Sequence, residues 1–187
     1  VICISDPLRA EAKEAIKALH ECGIQNVVMM TGDNRHTAAA IAKEVGVDAF
    51  YAEVLPEDKA NYIRKTREEG KCVIMIGDGV NDSPALSEAD AGIAINSGAA
   101  IAREIADITI SSENLFEIVV LRRLSMALMD RIHRNYRFIV GFNLMLIGCG
   151  VAGVMQPTTS ALLHNMSTLG ISLKSMTNLL DEPEELK

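Results

Sequence analysis

The sequence from Val73 to Asp82 reads Val-Ile-Met-Ile-Gly-Asp-Gly-Val-Asn-Asp, a short apolar run followed by an acidic turn with two glycines. Four consecutive apolar residues ahead of a glycine predict a buried strand. Ligands of parallel α/β sheets bind at the carboxyl ends of the strands. Asp78 and Asp82 lie at such an end, and Mg²⁺ prefers oxygen ligands of this kind. The stretch therefore predicts a magnesium site, the alternative being a plain turn in which Asp82 or Ser83 only caps the next helix.

Short apolar runs alternate with amphipathic segments through residue 112. The predicted strands cover residues 1–4, 27–30, 48–54, 73–76, 91–95 and 108–110. The predicted helices cover residues 10–22, 35–45, 56–69 and 99–106, with a further helix start at residue 83. Strands that alternate with helices predict a parallel sheet covered by helices on both faces. With right-handed crossovers, this is a Rossmann-like α/β domain over residues 1–112.

The character of the sequence changes after Ser112. Residues 113–137 predict one long helix with five Arg, and residues 138–155 contain no charged side chain. After a break at Gln156-Pro157, residues 158–173 again lack Asp, Glu, Lys and Arg. About 20 apolar residues span a membrane, so we predict transmembrane helices at 138–155 and 158–174. The alternative is a buried hairpin in a soluble helical subdomain.

Charge and cysteine content narrow the class of protein. The formal net charge is −7, and the acidic surplus lies in residues 1–112, which argues against nucleic acid as a partner. The Arg-rich helix and Lys174 flank the apolar runs, so the positive-inside rule places residues 1–137 and the tail 175–187 in the cytoplasm. The four cysteines (Cys3, Cys22, Cys72 and Cys149) form no paired motif, which predicts reduced and mostly buried thiols.

Two further turns carry groups suited to phosphate. Thr31-Gly32-Asp33 offers a hydroxyl and backbone N–H groups at a predicted helix N-terminus, where anions bind readily. Lys59 lies in the first turn of its helix, where a cation opposes the macrodipole unless it faces an anion. The alternative for Lys59 is an ordinary solvated side chain. With Asp78 and Asp82, these groups predict a site that stabilises a transferring phosphoryl group by charge and position.

Four motifs in one order resemble a known family. They are Asp6-Pro7-Leu8-Arg9, Thr31-Gly32-Asp33, Pro56-Glu57-Asp58-Lys59 and Gly77-Asp78-Gly79-Val80-Asn81-Asp82. Together they resemble the later motifs of P-type ATPases, which belong to the haloacid-dehalogenase-like superfamily. The long helix and the hairpin resemble the last stalk helix and final membrane helices of the heavy-metal-translocating branch.

The resemblance implies an ATP-driven transition-metal pump with an aspartyl-phosphate intermediate. Its nucleophilic Asp-Lys-Thr-Gly-Thr motif is absent from this sequence. Since the chain also opens on an apolar run without Met, we expect it to be the C-terminal part of a longer polypeptide and to be inactive alone. The expected partners are ATP, Mg²⁺, the transported cation, the lipid membrane and the missing N-terminal part. The expected location is a multi-pass membrane protein.

The resemblance also implies roles for individual residues. Asp78 would ligate Mg²⁺ with support from Asp82. The phosphoryl group would be held by Thr31, Gly32, Lys59 and Asn81, and Asp33 would be a further catalytic residue beside them. Asp6 and Arg9 would lie near the nucleotide or near the hinge to the missing domain, and the Thr31-Gly32-Asp33 turn would also help to bind the cofactor.

The transported ion is the least determined feature. Asn143, Cys149 and His164 lie in the apolar runs at positions that resemble the ion-binding region of the family, although neither the copper nor the zinc pattern is complete. Nitrogen and sulfur ligands suit transition metals. Polar side chains within a membrane are costly, so they favour a functional interpretation. The alternative is that His164 and its neighbour Asn165 only form hydrogen bonds between helices.

Two other functions fit part of the pattern. A soluble phosphatase of the same superfamily needs its own N-terminal nucleophile and no membrane hairpin. A non-enzymatic metal-binding or interaction module leaves the four phosphate-site motifs unexplained. The identity of the metal stays open.

Overall fold

The computed structural model describes residues 8–77, 81–95, 104–110 and 114–179. Its elements are, in chain order, α1 (Ala12–Glu21), β1 (Val28–Met30), α2 (Arg35–Val45), β2 (Ala49–Tyr51), α3 (Pro56–Glu68), β3 (Ile74–Gly77), α4 (Ser83–Glu88), β4 (Ala91–Ile95), β5 (Ile108–Ile110), α5 (Phe116–Val151) and α6 (Pro157–Ser175). The predicted strand at 1–4 and most of the predicted helix at 99–106 lie outside the described residues. The remaining predicted elements are present, most with shorter bounds.

All described strand pairs are parallel, as the alternating pattern predicts. β1 pairs with β2, and β3, β4 and β5 form a second sheet in that order. The prediction of a single sheet therefore does not hold for the described strands. Among them, β1 hydrogen-bonds only to β2 and β3 only to β4, so each has an edge that no described strand covers.

Local sequence signals determine where the helices begin and end. Asn34 caps α2, because its Oδ1 accepts a hydrogen bond from the Thr37 N–H at 3.0 Å. α2 ends at Gly46, whose φ of 84° lies in the left-handed region that glycine adopts easily. Pro56 occupies the first turn of α3, and Asp58 Oδ2 accepts the Leu55 N–H at 3.3 Å. The N-termini of α2 and α3, which follow β1 and β2, are thus each stabilised by a side-chain hydrogen bond.

The core is built from small and branched residues. One cluster joins Ala15, Ala18 and Cys22 to Val119 at the start of α5. In the three-stranded sheet, β4 contributes the buried Ile93 and Ala94, whereas Ile74 of β3 is 41% exposed. The predicted burial of the strand at 73–76 is therefore wrong for these residues, because β4 and not β3 lies at the centre of its sheet.

The cysteines follow the prediction only in part. Cys22 is buried, Cys149 is half-buried and Cys72 is exposed. Cys72 lies just before β3, in a segment without regular structure, which explains its exposure. Cys3 lies outside the described residues.

The chain divides into two compact units, Val1–Val119 and Val120–Lys187. In the second unit, α5 continues without a break past residue 137, and α6 runs antiparallel to it. Arg131 of α5 donates hydrogen bonds to the carbonyl oxygens of Ser175 (3.1 Å), Thr177 (2.6 Å) and Asn178 (2.6 Å) at the end of α6. This contact fixes the end of the hairpin farthest from its loop.

No helix within the described ranges combines the length and the apolar character that a membrane crossing requires. The predicted transmembrane helices at 138–155 and 158–174 are therefore not confirmed. The first apolar run is only partly helical, since α5 ends at Val151, and the turns of α5 before Phe138 carry Arg134 and Arg137. Hydroxyl, amide and imidazole side chains interrupt the apolar character of α6.

Candidate active site

Lys59 and Asp82 form a largely buried ion pair. Lys59 Nζ donates to Asp82 Oδ1 at 2.7 Å, and the two side chains are only 15% and 14% exposed. Lys59 lies in the first turn of α3, and Asp82 immediately precedes α4. Asp82 makes no side-chain cap to α4, so the interpretation of Asp82 as a simple N-cap is wrong. The interpretation of Lys59 as a solvated side chain is also wrong, because the side chain is largely buried and paired with Asp82.

Gly77, the last residue of β3, lies against the Asp82 carboxylate. A Cβ atom added to Gly77 would lie 2.6 Å from Asp82 Oδ2 and 2.8 Å from Asp82 Cβ. Real Cβ contacts are essentially never that short, so only glycine fits here. The sequence indicates only that Gly77 belongs to an acidic turn with two glycines, and it contains no signal for the close packing of Gly77 on Asp82.

Thr31 and Asp33 form the second pair of predicted site residues. Thr31 Oγ1 donates to Asp33 Oδ2 at 3.0 Å and accepts from the Asp33 N–H at 3.1 Å. Both side chains therefore hold the turn that contains Gly32. Asn34, rather than any of these three residues, caps α2.

Backbone hydrogen bonds tie this turn to the segment that enters α3. The Val54 N–H donates to Thr31 O at 3.1 Å, and the Glu53 N–H donates to Asp33 O at 2.9 Å. Glu53 has a φ of 57°, in the left-handed region that a non-glycine residue seldom occupies. Such strain is found more often at functional sites than elsewhere. The turn after β1 thus lies beside the peptide that leads to Lys59.

The other predicted residues of this site are more dispersed. Arg9 is exposed, and its carbonyl oxygen accepts the Ala12 N–H at 3.1 Å. Asn81 is exposed beside Asp82. Asp6 and Asp78 lie outside the described residues. The structure therefore brings together Lys59 with Asp82, and Thr31 with Asp33, as two pairs.

The side chains of this site that could bind a metal ion offer oxygen atoms, the ligand type that Mg²⁺ prefers. Within the described ranges, no group of three or more Asp, Glu, His or Cys side chains converges as a metal site. Asp82 lies near the carboxyl end of β3, and its Oδ1 already accepts a hydrogen bond from Lys59. A Mg²⁺ site therefore needs at least one further carboxylate, for which the sequence supplies Asp78 next to Gly77.

In the helical hairpin, His164 and Asn143 meet. His164 Nδ1 lies 2.7 Å from Asn143 Oδ1, and the His164 carbonyl oxygen accepts hydroxyl groups of Ser167 (2.8 Å) and Thr168 (3.0 Å). If Nδ1 donates to the amide oxygen, the lone pair of His164 Nε2 is left for another partner. Cys149 lies six residues after Asn143, which places the two side chains about 120° apart on α5.

Comparison with known proteins places this geometry in context. Residues 1–90 match the family model of haloacid dehalogenase-like hydrolases. A copper-exporting P-type ATPase of Staphylococcus aureus (strain JH9) is 43% identical over 171 residues, which cover 91% of this chain and 21% of that protein. The chain thus spans about a fifth of the length of the curated relatives it matches.

Solved structures give the same picture. A zinc-transporting PIB-type ATPase in the E2.Pi state matches with a TM-score of 0.83 and 34% identity, over 90% of this chain and 27% of that one. The catalytic CPx-ATPase domain CopB-B matches with a TM-score of 0.57 and 33% identity, over 63% of this chain and 47% of that one.

Proposed function

We propose that this chain works as one part of an ATP-driven transition-metal pump. The premise is that the chain belongs to the heavy-metal-translocating P-type ATPases of the haloacid dehalogenase-like superfamily. The similarity covers nine-tenths of the chain in both a copper-exporting and a zinc-transporting relative. The cargo we propose is therefore a transition-metal cation, with copper and zinc as the two candidates.

The observation that carries the proposal is the Lys59–Asp82 ion pair. Burying an ion pair at the start of two helices is costly, because desolvation opposes it and the helix dipole of α3 disfavours a cation there. The arrangement is useful if Lys59 meets the negative charge of a phosphoryl group. Asp82 Oδ1 then orients the Lys59 ammonium, which stabilises charge as the phosphoryl group is transferred.

Mg²⁺ would be held by Asp78 and Asp82 and would neutralise charge on the phosphate oxygens. The remaining groups of the site provide hydrogen bonds. We propose that the Thr31 hydroxyl, the Gly32 N–H and the Asn81 amide hold phosphoryl oxygens, while Asp33 keeps the Thr31 turn in shape. We further propose that Asp6 and Arg9 lie towards the nucleotide.

The nucleophile, in this proposal, comes from another segment of the polypeptide. The edges of β1 and β3 that no described strand covers support this, because both strands are mostly apolar and parallel to their described neighbours. A parallel strand paired with β3 at this edge would help to cover Ile74, which is 41% exposed. A soluble phosphatase is the weaker candidate, because a copper-exporting and a zinc-transporting ATPase both match about nine-tenths of the chain.

The hairpin supports a location in the membrane-embedded part of the pump. Large apolar side chains on its two helices are more than half exposed, among them Leu144 (68%), Ile147 (62%), Leu162 (59%), Met166 (61%) and Leu169 (61%). We propose that the other membrane helices of the full-length protein cover this surface, with residues 1–137 and the tail on the cytoplasmic side.

The ion site we propose includes His164, Asn143 and Cys149. Asn143 accepts the Nδ1 proton of His164, which orients the ring and leaves Nε2 as a ligand for the metal. Cys149 adds a soft sulfur ligand type suited to copper or zinc. Because Asn143 and Cys149 point in different directions on α5, both need not bind the same ion.

Metal-stimulated ATP hydrolysis by the full-length protein tests the phosphoryl site. We expect Lys59→Met and Asp82→Asn each to lower the rate by about 10²–10³-fold, since the first removes the cation that stabilises the transition state and the second removes the carboxylate that orients it. Lys17→Met is the matched control, because the Lys17–Glu21 pair is on the surface, with side chains 80% and 60% exposed. A wild-type rate in Lys59→Met would show that the phosphoryl site is misassigned.

The ion site is tested separately with Asn143→Ala, Cys149→Ala and His164→Ala. We expect at least one variant to weaken the metal dependence of ATP hydrolysis while the protein still folds. If all three keep the wild-type metal affinity, the hydrogen bond between His164 and Asn143 only joins the helices.

A further inference from the structure

Three ion pairs connect α3 with α4 and the start of β4. They are Lys59 with Asp82 (2.7 Å), Arg64 with Glu88 (2.7 Å) and Arg67 with Asp90 (2.9 Å). The first belongs to the site described above. The other two lie at the opposite end of the same helix pair and have no part in the proposed chemistry.

Three of the four cations of α3 lie on the side of the helix that packs against α4. At 100° per residue, Lys59, Arg64 and Arg67 fall within a sector of about 140°. The same sector contains Ala60 and Ile63, which are 6% and 2% exposed. The ion pairs therefore flank a packed apolar contact between two helices.

Asp90 connects three elements through one carboxylate. Its Oδ1 accepts from Arg67 Nε at 2.9 Å, and its Oδ2 accepts from the Val73 N–H at 2.8 Å. The Asp90 N–H in turn donates to Val73 O at 2.9 Å. Arg67 Nη1 also donates to the Glu88 carbonyl oxygen at 2.8 Å. The end of α3 is thus tied to the residue that precedes β3, the strand that ends at Gly77.

Both acidic partners are ionised at neutral pH. The hydrogen bond from the Val73 N–H, assisted by the charge of Arg67, holds the pKa of Asp90 below its usual range. The hydrogen bond from Arg64 does the same for the pKa of Glu88. The ion pairs of Arg67 with Asp90 and of Arg64 with Glu88 are therefore formed between charged groups at neutral pH.

We propose that Arg67 and Asp90 are positioning residues. They fix the position of α3 along β3 and so keep Lys59 Nζ in contact with the Asp82 carboxylate. This inference rests on the proposed phosphoryl-transfer function. Arg67 lies eight residues after Lys59, about 12 Å along the helix axis, and therefore acts through α3 rather than on the phosphate. Arg67 is favoured over Arg64 because it bonds both a carboxylate and a main-chain carbonyl oxygen.

The test uses the full-length protein and measures the rate of phosphoenzyme formation and the KM for ATP. Arg67→Gln is expected to slow phosphorylation about 2–5-fold, the effect of losing a partly exposed pair, with KM changed less than about twofold. Arg67→Lys should restore part of the rate, since Lys keeps the charge but only one of the two contacts. Lys17→Gln is the control and should have the wild-type rate.

A double-mutant cycle separates positioning from general destabilisation. If Arg67 acts through Lys59, Arg67→Gln should slow Lys59→Gln no further. Rates that fall additively would overturn the proposal. If Arg67→Gln folds poorly by its unfolding midpoint, Asp90→Asn takes its place, because the asparagine oxygen can still accept the Val73 N–H.

The outcomes also separate this inference from the proposed function. A wild-type rate in Lys59→Gln would contradict the proposed function itself. A slow Lys59→Gln together with wild-type rates in Arg67→Gln and Asp90→Asn would contradict the positioning role alone.

Discussion

Replacing Gly77 by alanine tests the packing at the carboxyl end of β3. The new methyl group would lie 2.6 Å from Asp82 Oδ2, 2.8 Å from Asp82 Cβ and 3.1 Å from Asp82 Cγ. Rotation of the carboxylate relieves the first contact but not the second, because Cβ is fixed to the backbone. Asp82 must therefore move as a whole, and its 2.7 Å contact with Lys59 Nζ lengthens or breaks.

The size of the effect follows from two contributions. Adding a methyl group to a packed site destabilises a protein by about 1–3 kcal/mol. Separating the Lys59–Asp82 pair adds to this, but less than the roughly 3–5 kcal/mol of a fully buried pair, because both side chains keep some exposure. We expect Gly77→Ala to lower the free energy of unfolding by about 2–4 kcal/mol in total.

The assay combines urea unfolding of the chain with phosphoenzyme formation by the full-length protein. Gly92→Ala is a control matched for overpacking, because its Cβ would lie 2.8 Å from the Leu86 carbonyl oxygen. Gly92→Ala should lose stability by a similar amount and still form the phosphoenzyme. Gly77→Ala should lose both stability and phosphorylation.

The reasoning is refuted if Gly77→Ala unfolds at the wild-type urea concentration and is phosphorylated at the wild-type rate. That result would mean that Asp82 does not pack on Gly77. Equal losses of phosphorylation in Gly77→Ala and Gly92→Ala would mean that stability, rather than the position of Asp82, governs the rate.

Three further predictions follow. In the full-length protein, Asp78→Asn should abolish phosphoenzyme formation from ATP because a Mg²⁺ ligand is lost, and normal labelling would show that Asp78 has another role. The chain alone should release no phosphate from ATP, since its sequence lacks the nucleophile motif; release that Asp78→Asn abolishes would contradict this. The hydrogen bond from Arg64 lowers the pKa of Glu88 in the folded state. The ionised Glu88 therefore stabilises the fold at pH values above its unfolded pKa of about 4.3, and this stabilisation is lost as the pH falls through its folded pKa. The urea midpoints of wild type and Glu88→Gln should therefore differ at pH 7 and converge in strong acid, and a constant difference would exclude this origin.

Local signals in the sequence predicted the element order well. Asn34 and Gly46 mark the ends of α2 because capping depends on residues within one turn of the helix. The alternation of strands and helices likewise predicted parallel pairing, which the described strands confirm. These features depend on residues that lie close to each other along the chain.

Long-range features could not be predicted in the same way. Lys59 and Asp82 were predicted to share one site, but the direct ion pair between them, across 23 residues of sequence, was not predicted. Arg67 and Asp90 are equally distant and were not singled out at all. The assignment of β3 as a buried strand failed because burial depends on which strand pairs beside it, a property of the whole sheet.

In the hairpin, amino-acid composition alone did not predict where the first helix ends. Residues 138–155 contain no charge, which predicted a transmembrane helix. The helix ends at Val151 instead, so fewer apolar residues are helical than the composition suggested. The contact between His164 and Asn143 was also not foreseen, although both residues were singled out separately.

The central claim is that this chain belongs to a pump that passes through an aspartyl phosphate. The most direct measurement is the transfer of labelled γ-phosphate from ATP to the full-length protein, followed by acid quenching, with copper or zinc present or absent. We expect an acid-stable label that hydroxylamine removes, that requires the metal and that Lys59→Met and Asp82→Asn prevent. ATP hydrolysis without any acid-stable label, or a label indifferent to metal and to both substitutions, would contradict the account.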